Sequence, residues 1–377
     1  IPIADITSIS DTLYTSLKKD AISVSNILYC PPNFLRMLMY LELSRPSGNI
    51  SRWEKVLKRL TLLNKNYPLK SKKCSEIDIQ RPYESTEDSE DLYDTIRNCF
   101  IDQGLVFFGG YANALYSKYM PKKIKTSLKK IPDFDVLSED PEKTLTILKE
   151  RLKTEGFKKV KTKRHEGMWE ILSGHYEVTV GDETVAFVYE PIACHSYNVI
   201  SEAGKKIKIA TIDTMLSFYL TFIYADKPYY DPQRILCMCQ HLFDVQQSNR
   251  LSQKGVLKRF SIECYGNQKT IENMRTERNK KYNELKKRKN SREYNLWFLN
   301  YRPSNSKKGS LKLLSVKKKK SKSKSKSKSK SKSLDDIDEM SNILYTSKSK
   351  KKKPKKAKKP KKTKKQNKFF ENSLFRF

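Results

Sequence analysis

The feature that most constrains this 377-residue chain is the run Leu105-Val106-Phe107-Phe108, which stops at Gly109-Gly110. Four consecutive apolar residues ended by glycines read as a buried strand entering a tight turn. Tyr111 to Tyr116 then has the composition of a helix opening. Downstream, Ile131-Pro132-Asp133-Phe134-Asp135-Val136-Leu137 carries two acids two residues apart. Side chains alternate along a strand, so Asp133 and Asp135 share one face, with Phe134 and Val136 on the other. Adjacent like charges are unfavourable unless a cation sits between them, and a divalent metal answers that need. A glycine turn at a helix start offers backbone N–H groups to phosphate. Together the two segments predict metal-assisted chemistry on a nucleotide.

Charge is distributed unevenly. The net formal charge is +35, yet of 77 basic and 42 acidic residues, 29 and 5 fall from Tyr301 onward, leaving 48 and 37 for residues 1–300. Nucleic acid is the partner that such a surface favours, with an anionic membrane surface as the competitor. Seven cysteines without a C-x-x-C pair predict free thiols and a reducing compartment. Cys237-Met238-Cys239 with His241 matches no common zinc spacing and reads as buried helical thiols, as does Cys194 beside His195. The longest apolar stretch, Met215 to Ala225, is about half a membrane span. A soluble intracellular protein without a membrane partner is expected.

The pattern divides the chain into four parts. Residues 1–90 read as a helical N-terminal region, with Asn33 to Leu41 and Trp53 to Leu60 at helical spacing and Ser51 as a cap. Residues 91–200 alternate strand and helix. Asp140-Pro141 opens a helix carrying Leu145, Leu148 and Leu152, and Gly156 stops it. Phe157 to Thr162, Tyr176 to Val180 and Thr184 to Pro191 read as strands, the last two joined as a hairpin at Gly181-Asp182-Glu183. Residues 201–300 read as a helical C-terminal domain led by Thr211 to Ala225, with a basic helix from Arg275 to Lys289 that could track a phosphate backbone or simply face solvent. Residues 301–377 form a Lys/Ser-rich tail whose composition forbids a core, interrupted by the acidic spacer Leu334 to Tyr345. The expected class is α+β, a mixed sheet with helical flanks.

An ordered set of hydrophobic-Gly-Gly, hydrophobic-flanked Asp-x-Asp and a downstream hairpin bearing acids resembles the nucleotidyltransferase superfamily of polymerase-β-like fold. Val106 to Tyr116, Ile131 to Asp140 and Tyr189 to Tyr197 look most similar to the poly(A) polymerases of giant DNA viruses. The resemblance runs from about Pro31 to Gly266 and leaves out the tail. It implies template-independent transfer of AMP from ATP to mRNA 3′ ends, a homodimer, and residence in the virion and host cytoplasm. It also implies that Asp133 and Asp135 hold two Mg²⁺ or Mn²⁺ ions and that Gly109 and Gly110 cradle the triphosphate. A third carboxylate completes the family's set. Glu190, near the end of the hairpin's second arm, is its expected counterpart here, with Glu177 and Asp182 as alternatives. Two other readings stay open: a terminal transferase of different NTP preference, and a non-catalytic RNA-binding subunit.

The tail is expected to tether RNA by charge alone. Deleting residues 306–377 should shorten product tails in a primer-extension assay and flatten the salt dependence of RNA binding.

Overall fold

Periodicity and capping chemistry place most elements near where the sequence predicts them. The computed structural model describes residues 9–71, 74, 87–127, 133–168, 171–202, 204–225, 227–269 and 271–298. These belong to the unit Thr7–Ser304, while a second unit, Ile1–Ile6 with Asn305–Phe377, lies outside the described residues, as do the basic tail and its acidic spacer.

In chain order, α1 (Asp11–Lys19) precedes a small hairpin of β1 (Ile22–Val24) and β2 (Ile27–Tyr29). Helices α2 (Pro32–Leu43), α3 (Trp53–Asn66) and α4 (Glu87–Asp102) lead to β3 (Val106–Phe108) and α5 (Gly109–Tyr116). Then come α6 (Lys122–Ser127), β4 (Phe134–Leu137), α7 (Pro141–Thr154), β5 (Val160–His165), β6 (His175–Val180) and β7 (Glu183–Tyr189). The strands β8 (His195–Glu202) and β9 (Lys205–Ala210) precede α8 (Ile212–Tyr224) and α9 (Pro232–Ser248). The short β10 (Cys264–Tyr265) and helices α10 (Ile271–Leu285) and α11 (Arg292–Phe298) complete the unit.

Eight strands form one mixed sheet in the order β10-β8-β9-β3-β4-β7-β6-β5. Strand β3 runs parallel to β9 and antiparallel to β4, and β4 runs parallel to β7. The class is therefore α+β, as expected. The sheet continues past residue 200, because the β8–β9 hairpin spans that point. Helix α7 begins as read: the Asp140 carboxylate accepts from the Lys143 N–H at 3.0 Å, Pro141 occupies the first turn, and Leu145, Leu148 and Leu152 are buried. Ser51 does not cap α3; it lies in a short 3₁₀ turn and bonds Asn49 instead.

One face of the sheet packs on α4 and α7 through Phe100, Phe107 and Phe134. The other receives α8, whose Phe218 stacks on Phe108 at 4.8 Å between ring centroids. Thr211 caps α8, and nearly every residue of that helix is buried, as apolar residues all round require.

Four of the seven cysteines pair, correcting the expectation of free thiols throughout. Cys74 joins Cys237 and Cys194 joins Cys264, with Cα separations of 5.3 and 5.1 Å; Cys30, Cys99 and Cys239 remain free. The partners lie 163 and 70 residues apart, so local spacing carried no sign of them. No described helix is long and apolar enough to cross a membrane.

The strongest buried polar contact fixes α8. Arg259 forks onto the fully buried Asp213, its Nε 3.1 and 3.0 Å from the two carboxylate oxygens and its Nη2 2.9 Å from Oδ1. Gln246 Nε2 adds a third donor at 3.2 Å. Burial alone would lower the Arg259 pKa, but the Asp213 charge and hydrogen bonds reverse this and hold the guanidinium charged. Asp213→Ala should therefore cost about 3–5 kcal/mol by leaving a buried cation unpaired. Replacing both partners with apolar residues should cost less, and urea unfolding of the two variants checks the order.

Candidate active site

The two motifs singled out in the sequence meet at one point in the sheet. Phe108, the last residue of β3, pairs with Asp135 of β4. The next residue, Gly109, turns the chain into α5 with φ +63°. A Cβ placed on Gly109 would lie 1.7 Å from Asp135 Oδ2 and 2.5 Å from its Cγ. Glycine is thus required twice, for its backbone conformation and for the space the carboxylate occupies. No side chain caps α5, so its first-turn N–H groups open toward the Asp135 side.

Asp133 lies immediately before β4 and Asp135 within it; both are half-buried. Their charges reach the tyrosines on this face. Burial first, then Asp135 and Asp133 among other charges, hold the Tyr219 hydroxyl protonated, well above the usual phenol range. Tyr189 is pushed up likewise, by burial, then Tyr230 and Asp135. Asn113 of α5 donates from Nδ2 to Tyr219 Oη at 2.6 Å. Its buried Oδ1 has no hydrogen-bond partner among the described residues. Asn113 and Tyr219 are members of the site that sequence reading passed over. Each lay inside a helical apolar pattern, and only the packing of α5 on α8 brings them beside the acids.

The downstream acids separate by register. Along β7, Phe187 pairs with Asp135 and Tyr189 with Leu137. Strand β7 ends at Tyr189, so Glu190 falls outside it, exposed and beyond the far end of β4 from Asp133. The alternation along the strand also turns Glu190 to the face opposite Phe187 and Asp135. Glu190 is therefore not brought to the acid pair, which corrects the expectation drawn from its place in the hairpin. Asp182 occupies the exposed turn between β6 and β7.

Glu177 alone of the three shares the Asp135 rung, since it pairs with Phe187 across β6 and β7. Two strand spacings, about 10 Å, still lie between Glu177 and Asp135. Its carboxylate accepts from Thr184 at 2.7 Å and faces His165 Nε2 at 2.8 Å. Burial raises its pKa, but bonds to Thr184 and His165 and the charges of His165 and Lys163 outweigh this and lower it. His175 stacks on Tyr189 in the same layer and is lowered to about 4, first by burial. An open cleft of about 900 Å³, lined by Asp91, Asp94, Asn98 and Arg151, lies apart from this site.

Among the described residues, no three His, Cys, Asp or Glu side chains converge as a metal cage. The residues present fit a more open set. Two carboxylates give hard oxygen ligands suited to Mg²⁺ or Mn²⁺, with phosphate oxygens and water filling the remaining positions. The orphaned Asn113 Oδ1 provides one further acceptor for a ligand N–H or a water.

No protein-family model matches the chain, and no curated protein sequence matches it. Among solved structures, the chain is similar to the crystal structure of the Megavirus polyadenylate synthase, with a TM-score of 0.61 at 15% identity. The match covers 73% of this chain and 57% of that one, so this chain spans little more than half of the synthase. The sheet and its flanking helices thus share the fold of that protein.

Gly109→Ala should displace Asp135 and add strain of about 1–2 kcal/mol from the left-handed backbone. Gly156→Ala is the matched control, because Gly156 has φ +87° and nothing within 4 Å of an added Cβ. Both variants should lose thermal stability from the backbone term, and Gly109→Ala should lose more, because its Cβ also displaces Asp135. Nucleotide binding, followed by calorimetry, should fail in Gly109→Ala alone.

Proposed function

We propose that this chain is a nucleotidyltransferase acting on the 3′ end of RNA with ATP as donor, a poly(A) polymerase. The observation that carries the reading is the contact of Gly109 with Asp135, which sets a metal-binding acid pair against a glycine helix start. In this reading Asp133 and Asp135 hold the divalent ion. A bound ion would draw charge from the triphosphate and lower the pKa of the attacking 3′-hydroxyl. The Gly109-Gly110 turn and the first N–H groups of α5 bind the β and γ phosphates. Asn113, held by Tyr219, orients a polar group of the nucleotide. In-line attack of the 3′-oxygen on the α-phosphate releases pyrophosphate. A homodimer, and a place in the virion and host cytoplasm, belong to the same reading.

A specific observation favours a second reading, that of a subunit which binds RNA without extending it. Phe187 fills the rung beside Asp135, and the family's third acid has no counterpart on that rung of β7. Incubating the full chain with an RNA primer, Mg²⁺ or Mn²⁺ and each NTP separately decides between them. ATP-dependent extension is expected, falling by at least roughly 100-fold in Asp133→Ala and Asp135→Ala. Equal use of all four NTPs would indicate a general terminal transferase. RNA binding without any incorporation would establish the second reading.

A further inference from the structure

The sequence from Lys158 to Arg164 reads Lys-Lys-Val-Lys-Thr-Lys-Arg, five cations in seven residues with no acid among them. Most of it forms β5, the last strand of the sheet, which pairs only with β6. Among the described residues its second edge has no partner strand.

Register ties this edge to the acid pair. Lys163 pairs with Glu177, Glu177 with Phe187, and Phe187 with Asp135, so all four occupy one rung. Paired residues on neighbouring strands point to the same face, which puts Lys163 on the Asp135 face. Lys161 lies two residues earlier and pairs with Thr179, whose partner on β7 is Thr184. It therefore stands toward the end of the sheet where Asp133 enters. The lysines at i and i+2 parallel the aspartates at i and i+2 across three strand spacings, about 14 Å.

Both lysines are exposed, and neither is within ion-pair distance of a carboxylate among the described residues. Glu177, the nearest acid on the rung, is engaged by His165 and Thr184. Asp182 and Glu183 lie beyond, in the turn and at the start of β7. The basic helix α10 is in part already engaged, because Lys281 pairs with Glu284 and Glu277 takes Lys269 from the segment before the helix. One or two lysines suffice to guard a sheet edge against pairing, and five exceed that need.

We infer that the β5 edge binds the phosphate backbone of single-stranded RNA a few nucleotides upstream of its 3′ end, with Lys161 and Lys163 as the contacts facing the acid pair. The inference rests on the reading of Asp133 and Asp135 as the RNA 3′-end site. It adds the path by which the acceptor strand arrives. Phosphate contacts carry no base information, so this edge holds RNA of any sequence.

Photocrosslinking of the full chain tests it. An oligoadenylate carries 4-thiouridine either at its 3′ terminus or three nucleotides upstream, and crosslinked peptides are mapped by mass spectrometry. The upstream probe is expected on the 157–166 segment and the terminal probe near Gly109 or Asp135. In Lys161→Glu/Lys163→Glu the upstream crosslink should fall roughly tenfold. Lys55→Glu/Lys65→Glu, the same charge change on α3, should leave it intact. If the terminal probe reaches the acid pair while the upstream probe maps to α10 or the tail, the inference fails and the function reading stands. If the upstream probe reaches β5 while the terminal probe lands away from the acids, the RNA edge stands and the function reading fails. Should the double variant not fold, the wild-type map still decides. An unchanged map in a variant that merely aggregates would make the lysines edge guards and overturn the inference.

Discussion

The site depends on a distance too short for any side chain. Strand β3 ends where its partner β4 presents a carboxylate, and the chain must turn there into α5. Only a residue without Cβ can occupy position 109 while Asp135 keeps its place. Because β3 and β4 lie in the middle of an eight-stranded sheet, with β9 and β7 on their outer sides, neither strand can slide to relieve the contact. A one-residue slip would turn Asp135 into the apolar layer of Phe107 and Phe134. The apolar packing on both faces therefore positions the acid as firmly as any bond made to it.

The buried polar groups divide into two kinds. Asp213, Arg259 and Gln246 Nε2 form a bonded set that ties the start of α8 to α9 and to the segment before β10. His175 and His195 are kept neutral inside aromatic packing, lowered to about 4 and about 3, burial being the first cause in each. Such groups lock the second layer against the sheet and specify one packing of α8. Asn113 Oδ1, like Gln246 Oε1 and both ring nitrogens of His195, is buried without a bond among the described residues, and of these side chains Asn113 is the one bonded to Tyr219 on the face of the acids.

Much of this was legible in the sequence, and the reasons differ by element. Helix α7 was readable because Asp140, Pro141 and Gly156 carry local chemistry that needs no partner. The turn at Gly109 and the strand carrying Asp135 were readable because strand alternation and turn chemistry are local. The strand β5 was read a few residues early, as Phe157 to Thr162, since its lysines obscure the apolar alternation that marks a half-buried strand. The hairpin β8–β9 went unread, and its turn at Gly204 sits beside the boundary drawn at residue 200. The disulfide partners and the Asp213–Arg259 pair were invisible because each joins residues distant in the chain.

Glu190 shows where local reading must fail. Its hairpin was identified correctly, and an acid at the end of a second arm fits the family's order. Which residue of β7 abuts Asp135, however, is set by how two parallel strands dock, and β4 and β7 are separated by α7 and two further strands. A bulge adds to the uncertainty of counting: Ala186 pairs with Val178 but Thr184 with Thr179, so Val185 is the extra residue and Thr184 rotates onto the face of Glu177. That rotation lets Thr184 bond the Glu177 carboxylate and keeps it engaged at the β6 side of the site. The rung then carries an acid at Asp135, an apolar ring at Phe187, a bonded acid at Glu177 and a cation at Lys163. In the proposed reading, such an arrangement suits an anionic chain that meets the cation at the edge and the acid pair inside, with the aromatic ring between them.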